Sequence, residues 1–180
     1  MIDLAILGLL KDEPLHGYEL RKRVAGIGAG SGFSYGSLYP ALRRLERDGH
    51  ILKTRPAGSI RGKKVYALTP HGNARFLVLL GAGDGPETER GFALRLAFFR
   101  HLALDARLEA LQDRRAETAE RLHEAHKARR AALRSATVER YTRALLDRAV
   151  QHQEVELRWI DALLVEEGEP GTHALHEELA

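Results

Sequence analysis

The sequence predicts a mainly α-helical protein: a winged helix-turn-helix with a two-stranded β wing, followed by a C-terminal long-helix dimerisation module. Three observations carry this. Within the first 80 residues, short helical segments surround one pair of strand-like runs, His50 to Arg55 and Lys64 to Leu68. From Phe92 to Glu167 the chain has neither glycine nor proline, which marks an uninterrupted helical region. Charge is uneven: residues 1–75 hold 13 Lys/Arg against 6 Asp/Glu, and residues 76–180 hold 15 against 19. The expected division is a DNA-binding-type domain over 1–80, a linker over 81–91, a helical dimerisation module over 92–167 and a flexible tail over 168–180.

The first element, Ile2 to Lys11, reads as a helix that is apolar all round, with Ile2, Leu4, Ala5, Ile6, Leu7, Leu9 and Leu10 leaving little polar surface. Such a helix must be covered on every side. A small domain covers one face, so a second module or subunit is expected to cover the other, through Ile6, Leu7 and Leu10. Pro14 and Gly17 punctuate the chain before a second helix, near His16 to Ala25, and the glycine-rich GIGAGSG then forms a turn.

A third helix lies within SYGSLYPALRRLERDG. Ser34 or Ser37 can cap it, because a serine oxygen satisfies a first-turn N–H. Proline is tolerated only near a helix start, so Pro40 favours Ser37. Leu38, Leu42 and Leu45 recur at i, i+4 and i+7 as a core stripe. Gly49 ends the helix as a left-handed cap. The two strands follow, joined by the turn-rich PAGSIRG as a hairpin. Thr69 and Pro70 then open a fourth helix, as N-cap and first helical residue. Three helices are expected in the C-terminal module, near Phe92–Leu102, Asp105–Arg134 and Thr137–Glu167. The middle one has few large apolar residues, Leu108, Leu111, Leu122 and Leu133, which suits pairing with one neighbour.

Composition narrows the function. Of 180 residues, 44% are apolar and 29% charged, a globular balance. The absence of cysteine excludes disulfides, thiolate zinc sites and cysteine nucleophiles, and suits a reducing cytoplasm. The apolar run Leu4 to Leu10 lacks a signal peptide's basic lead and is too short to span a bilayer, so no membrane is expected. The basic N-terminal half points to a polyanion partner.

Three segments are more specific than the order of elements: LAILGLLKDEPLHGYEL (4–20), YGSLYPALRRLERDGHI (35–51) and RGKKVYALTPHG (61–72). This set resembles the PadR family of transcriptional regulators, and the helical region from Arg90 to Glu167 is similar in pattern to that family's dimerisation module. GIGAGSG departs from the family's pattern and bears on the tilt between the second and third helices. The resemblance implies a cytoplasmic homodimer that binds pseudo-palindromic double-stranded operator DNA and represses transcription until a small molecule or another signal releases it.

The residue chemistry stands beside that. A recognition helix buries one face and shows the other to the major groove. With Leu38, Leu42 and Leu45 inside, the outer arc carries Ser37, Tyr39, Pro40, Arg43, Arg44 and Arg47. Arginine forks match guanine edges and phosphate oxygens. The hairpin tip adds Arg61, Lys63 and Lys64, which can grip a backbone. Tyr18 begins the second helix, before Lys22, and its hydroxyl can bond a phosphate or a neighbouring backbone group. The expected DNA-binding set is Tyr18, Lys22, Ser34, Ser37, Tyr39, Arg43, Arg44, Arg61, Lys63 and Lys64.

In the last helix Tyr141 and Trp159 are 18 residues apart, five turns on one azimuth, with Leu145, Arg148, His152 and Val155 near the same line. This is the expected dimer seam, with Tyr141, Leu145, Leu157, Trp159 and Ile160 pairing against the first helix. Its polar members, with Tyr141, His152 and Trp159 foremost, either line an effector pocket between subunits or form the rim of an ordinary seam. His123 and His126 lie at i, i+3, without the zinc-protease spacing or a third ligand, and read as solvated. Neither glycine run has the strand that a phosphate cradle needs. No catalytic triad or paired carboxylates stand out. The sequence therefore reads as a non-enzyme without cofactor or metal. The alternatives are an architectural DNA-binding protein without a dedicated effector, and a ligand- or metal-binding helical protein.

Overall fold

The computed structural model describes residues 1–27, 35–54, 64–81, 88–134 and 138–168. They form two compact units, Met1–Leu102 and Ala103–Ala180. The first contains helix α1 (Ile2–Asp12), strand β1 (Leu15–His16), α2 (Gly17–Gly26), α3 (Tyr35–Arg47), β2 (Ile51–Thr54), β3 (Val65–Leu68), α4 (Pro70–Gly81), α5 (Glu89–Leu96) and a 3-10 turn, Phe99–His101. The second holds two long helices, α6 (Leu104–Leu133) and α7 (Arg140–Gly168). The expected boundary at 81–91 and the observed division after Leu102 differ by the α5 segment. Residues 82–87 of the expected linker and 169–180 of the expected tail lie outside the described residues.

The order α1, α2, α3 and a β hairpin makes the first unit a winged helix-turn-helix. The sheet has one strand more than the hairpin. β1 pairs antiparallel with β3, Leu15 opposite Tyr66, and β3 pairs antiparallel with β2, Ile51 opposite Leu68. The strand order is therefore β1-β3-β2. Two residues between Pro14 and Gly17 are too few to show strand alternation in the sequence.

Local chemistry fixes the ends of these elements. Gly49 has φ 73°, the left-handed conformation that glycine adopts without a side-chain penalty. Around it, His50 N donates to Leu45 O at 2.9 Å and Gly49 N to Glu46 O at 3.1 Å, closing α3 with a Schellman motif. The Thr69 hydroxyl donates toward the carbonyls of Gly49 (2.7 Å) and His50 (3.0 Å) and accepts from Gly72 N at 3.0 Å. It thus caps α4 and ties that helix to the end of α3. One expected cap is corrected: α3 starts at Tyr35, so Ser37 is inside the helix, not at its N-cap. Pro40 is accommodated at the sixth helical position, where it leaves the Gly36 carbonyl without its helical donor.

The larger correction concerns α1. All of Leu4 to Leu10 is buried, with Ile6 and Leu7 wholly covered and Leu10 nearly so. The cover comes from α2, α3, α4, α5 and β3 of the same chain. Ile6, Leu7 and Leu10 are core residues and present nothing to a second subunit. The coat is complete within the chain because α5 and the segment after it belong to this unit.

In the second unit α6 and α7 pair, as the stripe on α6 implied. Arg107 meets Glu167, Arg114 meets Glu156 and Arg129 meets Asp147, so the helices run antiparallel. The seam is more polar than expected. On α6 it is built on Leu111 together with buried Arg107, Arg114 and Thr118, while Leu108 and Leu122 are half-buried and Leu133 is exposed. On α7 Val150 and Ile160 are buried, with Leu157 half-buried between them. Leu157 and Ile160, expected in a dimer seam, therefore lie on the covered side of α7. No helix among the described residues is long and apolar enough to cross a membrane.

Candidate nucleic-acid interface

Helix α3 is two-faced because its apolar residues fall at helical spacing. Leu38, Ala41, Leu42 and Leu45 are buried, and Gly36, Tyr39, Pro40, Arg43, Arg44 and Arg47 are exposed. Tyr39 retains 46% of its surface, and Ser37 is half-buried beside it. Tyr39 and Arg43 are one turn apart on the open side, so the outer face offers a hydroxyl and a guanidinium fork together.

The cations of the first unit fall into two groups. Several are held by acids of the same chain. Arg44 pairs with Asp3 of α1 at 2.5 Å, Arg47 with Asp48 at 3.0 Å, and Arg23 with Glu13 at 2.7 Å and Glu19 at 3.1 Å. Lys53 of β2 donates to Glu46 at 2.7 Å, with its ammonium 5.3 Å from the Tyr66 ring centre. The Glu46 hydrogen bond holds the Lys53 ammonium charged above the ordinary lysine range. By contrast, exposed Lys22 on α2, Arg43 on α3 and Lys64 at the base of the wing have no ion pair among the described residues. Lys11, Arg75 and Arg90 are likewise exposed without an ion pair among the described residues, but Lys22, Arg43 and Lys64 are the ones carried by α2, α3 and the wing.

Tyr18 is 67% exposed in the first turn of α2, with the Arg21 guanidinium 5.2 Å from its ring centre. His16 Nδ1 lies 3.1 Å from the Lys64 carbonyl, so the start of α2 is fastened to the base of the wing. Ser34, Arg61 and Lys63 lie outside the described residues.

In the second unit Tyr141, Leu145, His152, Val155 and Trp159 are all exposed. Their spacing alternates three and four residues with Arg148 included, one continuous outer stripe. His123 is exposed, and His126 is half-buried with Nε2 4.0 Å from Glu154 Oε1. Among the described residues no three histidine, cysteine or acidic side chains gather where they could hold a metal ion. Sequence reasoning missed Asp3, whose partner Arg44 is 41 residues away, and the buried arginines of α6. The second was detectable: Arg107, Leu111, Arg114 and Thr118 follow a four-three-four spacing.

Residues 6–77 match the family described as Transcriptional regulator PadR-like family. Among solved structures, the chain is similar to Bacillus subtilis PadR in complex with operator DNA (22% identity, 91% of this chain and 96% of that one, TM-score 0.40). It is also similar to Bacillus subtilis PadR in complex with p-coumaric acid (22%, 93% and 99%, 0.42). A third likeness is to the PadR-like transcriptional regulator BC1756 from Bacillus cereus (21%, 93% and 98%, 0.41). No curated protein matches the chain.

Proposed function

We propose that this chain, whose residues 6–77 match the PadR-like family of transcriptional regulators, binds operator DNA sequence-specifically, as a cytoplasmic homodimeric repressor. The observation that carries the reading is the outer face of α3, where Tyr39 and Arg43, which has no ion pair among the described residues, project from a helix whose other face is packed. A rigid helix with one packed face is the element that enters a major groove, and an arginine fork reads guanine there. Lys22 and Lys64 supply phosphate contacts from α2 and the wing. Ser37 and Tyr18 add hydroxyl donors, and Ser34, Arg61 and Lys63 belong to the same proposed set.

The dimer is proposed on α7 alone, because α1 is spent in the core. Its outer stripe of Tyr141, Leu145, Val155 and Trp159 leaves an apolar seam that a second copy would cover about a two-fold axis. A small-molecule effector would sit where that seam is polar, against Tyr141, His152 and Trp159, with the partner copy as the far wall. A ligand favouring one spacing of the subunits changes DNA affinity by the same coupling factor by which DNA changes its own.

Selection from a randomised duplex pool tests this reading. The expected product is a pseudo-palindrome with half-sites about 34 Å apart, one helical turn. Retention of the pool with no enriched sequence would replace the operator-specific regulator with an architectural DNA-binding protein.

A further inference from the structure

Arg43 and Arg44 are neighbours on the exposed side of α3, but they are not equivalent. Arg44 is paired with Asp3 at 2.5 Å, and Arg43 has no ion pair among the described residues. The Asp3 carboxylate is the more sheltered partner, 25% exposed against 46% for Arg44. Asp3 also sits in the first turn of α1, where the helix dipole favours a negative charge. The acid is thus fixed in place by its own helix, and the arginine comes to it.

A carboxylate and a phosphate accept the same guanidinium fork. For Arg44 to give its full charge to a DNA phosphate it must leave Asp3, and the phosphate must then approach a bare carboxylate. While the pair stays closed its net charge is zero, and it releases no counterion on binding.

We propose that Asp3 is a positioning residue that occupies Arg44 as a resident anion, withholding that arginine from the phosphate backbone and leaving groove contact to Tyr39 and Arg43. This rests on the DNA-binding reading above. The same pattern extends along the C-terminal part of α3, where Arg47 is held by Asp48 and Lys53 by Glu46. Sequence-independent affinity is thereby kept low, and a larger share of the binding depends on the base-reading side chains. Specificity is a difference of affinities, and suppressing the common part raises it.

The test is fluorescence anisotropy on a 20-bp duplex of unrelated sequence, over a salt series, with the full chain and its Asp3→Asn, Asp3→Glu, Arg44→Ala, Asp3→Asn/Arg44→Ala and Arg43→Ala variants. Asp3→Asn releases one cation. It should steepen the plot of log K against log salt by about one unit and raise affinity about five-fold at 0.15 M salt. Asp3→Glu should keep the wild-type slope, and the double variant should lose the gain. Thermal melting of each variant is measured alongside. An Asp3→Asn slope equal to wild type, a gain that survives removal of Arg44, or weaker binding that tracks a lost melting temperature would each overturn the proposal. Failure of the underlying reading looks different: Arg43→Ala would then leave binding to the selected operator unchanged, whatever Asp3 does.

Discussion

A β-carbon on Gly8 would stand 2.4 Å from Cε1 of Phe98, closer than any real contact. The Phe98 ring lies close against α1 at Gly8, and it meets the Phe76 ring edge to face, with ring centres 5.9 Å apart. This contact lets the segment after α5 close over a helix that is apolar on every side. It is also the physical reason why α1 needs no second subunit to cover it.

Gly8→Ala should therefore destabilise the protein by about 1–3 kcal/mol through overpacking. The sign is informative, because in an open helix the same change would stabilise by about 0.5–1 kcal/mol. Pairing it with Phe98→Leu should recover part of the loss. Urea unfolding measures both, and a Gly8→Ala variant as stable as wild type would show that the Phe98 contact is not that close.

Much of the first unit was legible because its signals are local. The Leu38–Leu42–Leu45 stripe, the Gly49 cap and the Thr69–Pro70 start each depend on residues within a turn or two of one another. What escaped depends on distance along the chain. Asp3 finds Arg44 only after α1 and α3 pack together. β1 exists only because β3 offers it an edge. The apolar girth of α1 is visible in the sequence, but not which part of the chain covers it, so Ile6, Leu7 and Leu10 read as outward-facing where the structure packs them inward. Pro40 reads as the mark of a helix start because the sequence alone does not show the packing that sustains α3.

Acid should destabilise the first unit through His101. Burial and the nearby Arg100 and Lys11 lower its pKa, against the opposing pull of Asp12, whose Oδ1 is 3.2 Å from Nε2. The Phe76 ring, 5.4 Å away centre to centre, adds apolar surface and no charge. The folded protein thus prefers neutral His101. Its contribution is present above the unfolded-state value, about 6.5, and is lost as pH falls through the lower folded value. Unfolding free energies at pH 7.5 and pH 5.5 should show a drop in wild type that is smaller in His101→Gln. Equal drops in the two proteins would remove His101 from the account.

The two helices once both expected at a dimer seam should now behave differently. Leu145 is exposed on α7 and Leu7 is wholly buried in α1. Leu145→Glu should yield a folded monomer of 20.1 kDa chain mass by sedimentation, where wild type gives twice that. Leu7→Glu should instead lose the cooperative fold, since it buries an unpaired charge in the core. Emission from Trp159, the single tryptophan, should shift red in the Leu145→Glu monomer. A Leu145→Glu protein that stays dimeric would place the seam elsewhere.

The most direct test of the central claim is the affinity of Arg43→Ala and Lys64→Ala for the selected operator and for bulk DNA, across salt. Arg43→Ala is expected to weaken operator binding by about 1–3 kcal/mol and to narrow the operator-to-bulk ratio. Lys64→Ala is expected to weaken both DNAs alike and lower the salt slope by about one unit. If both variants fold and bind the operator as wild type does, with unchanged slope and ratio, then the outer face of α3 and the base of the wing do not contact DNA.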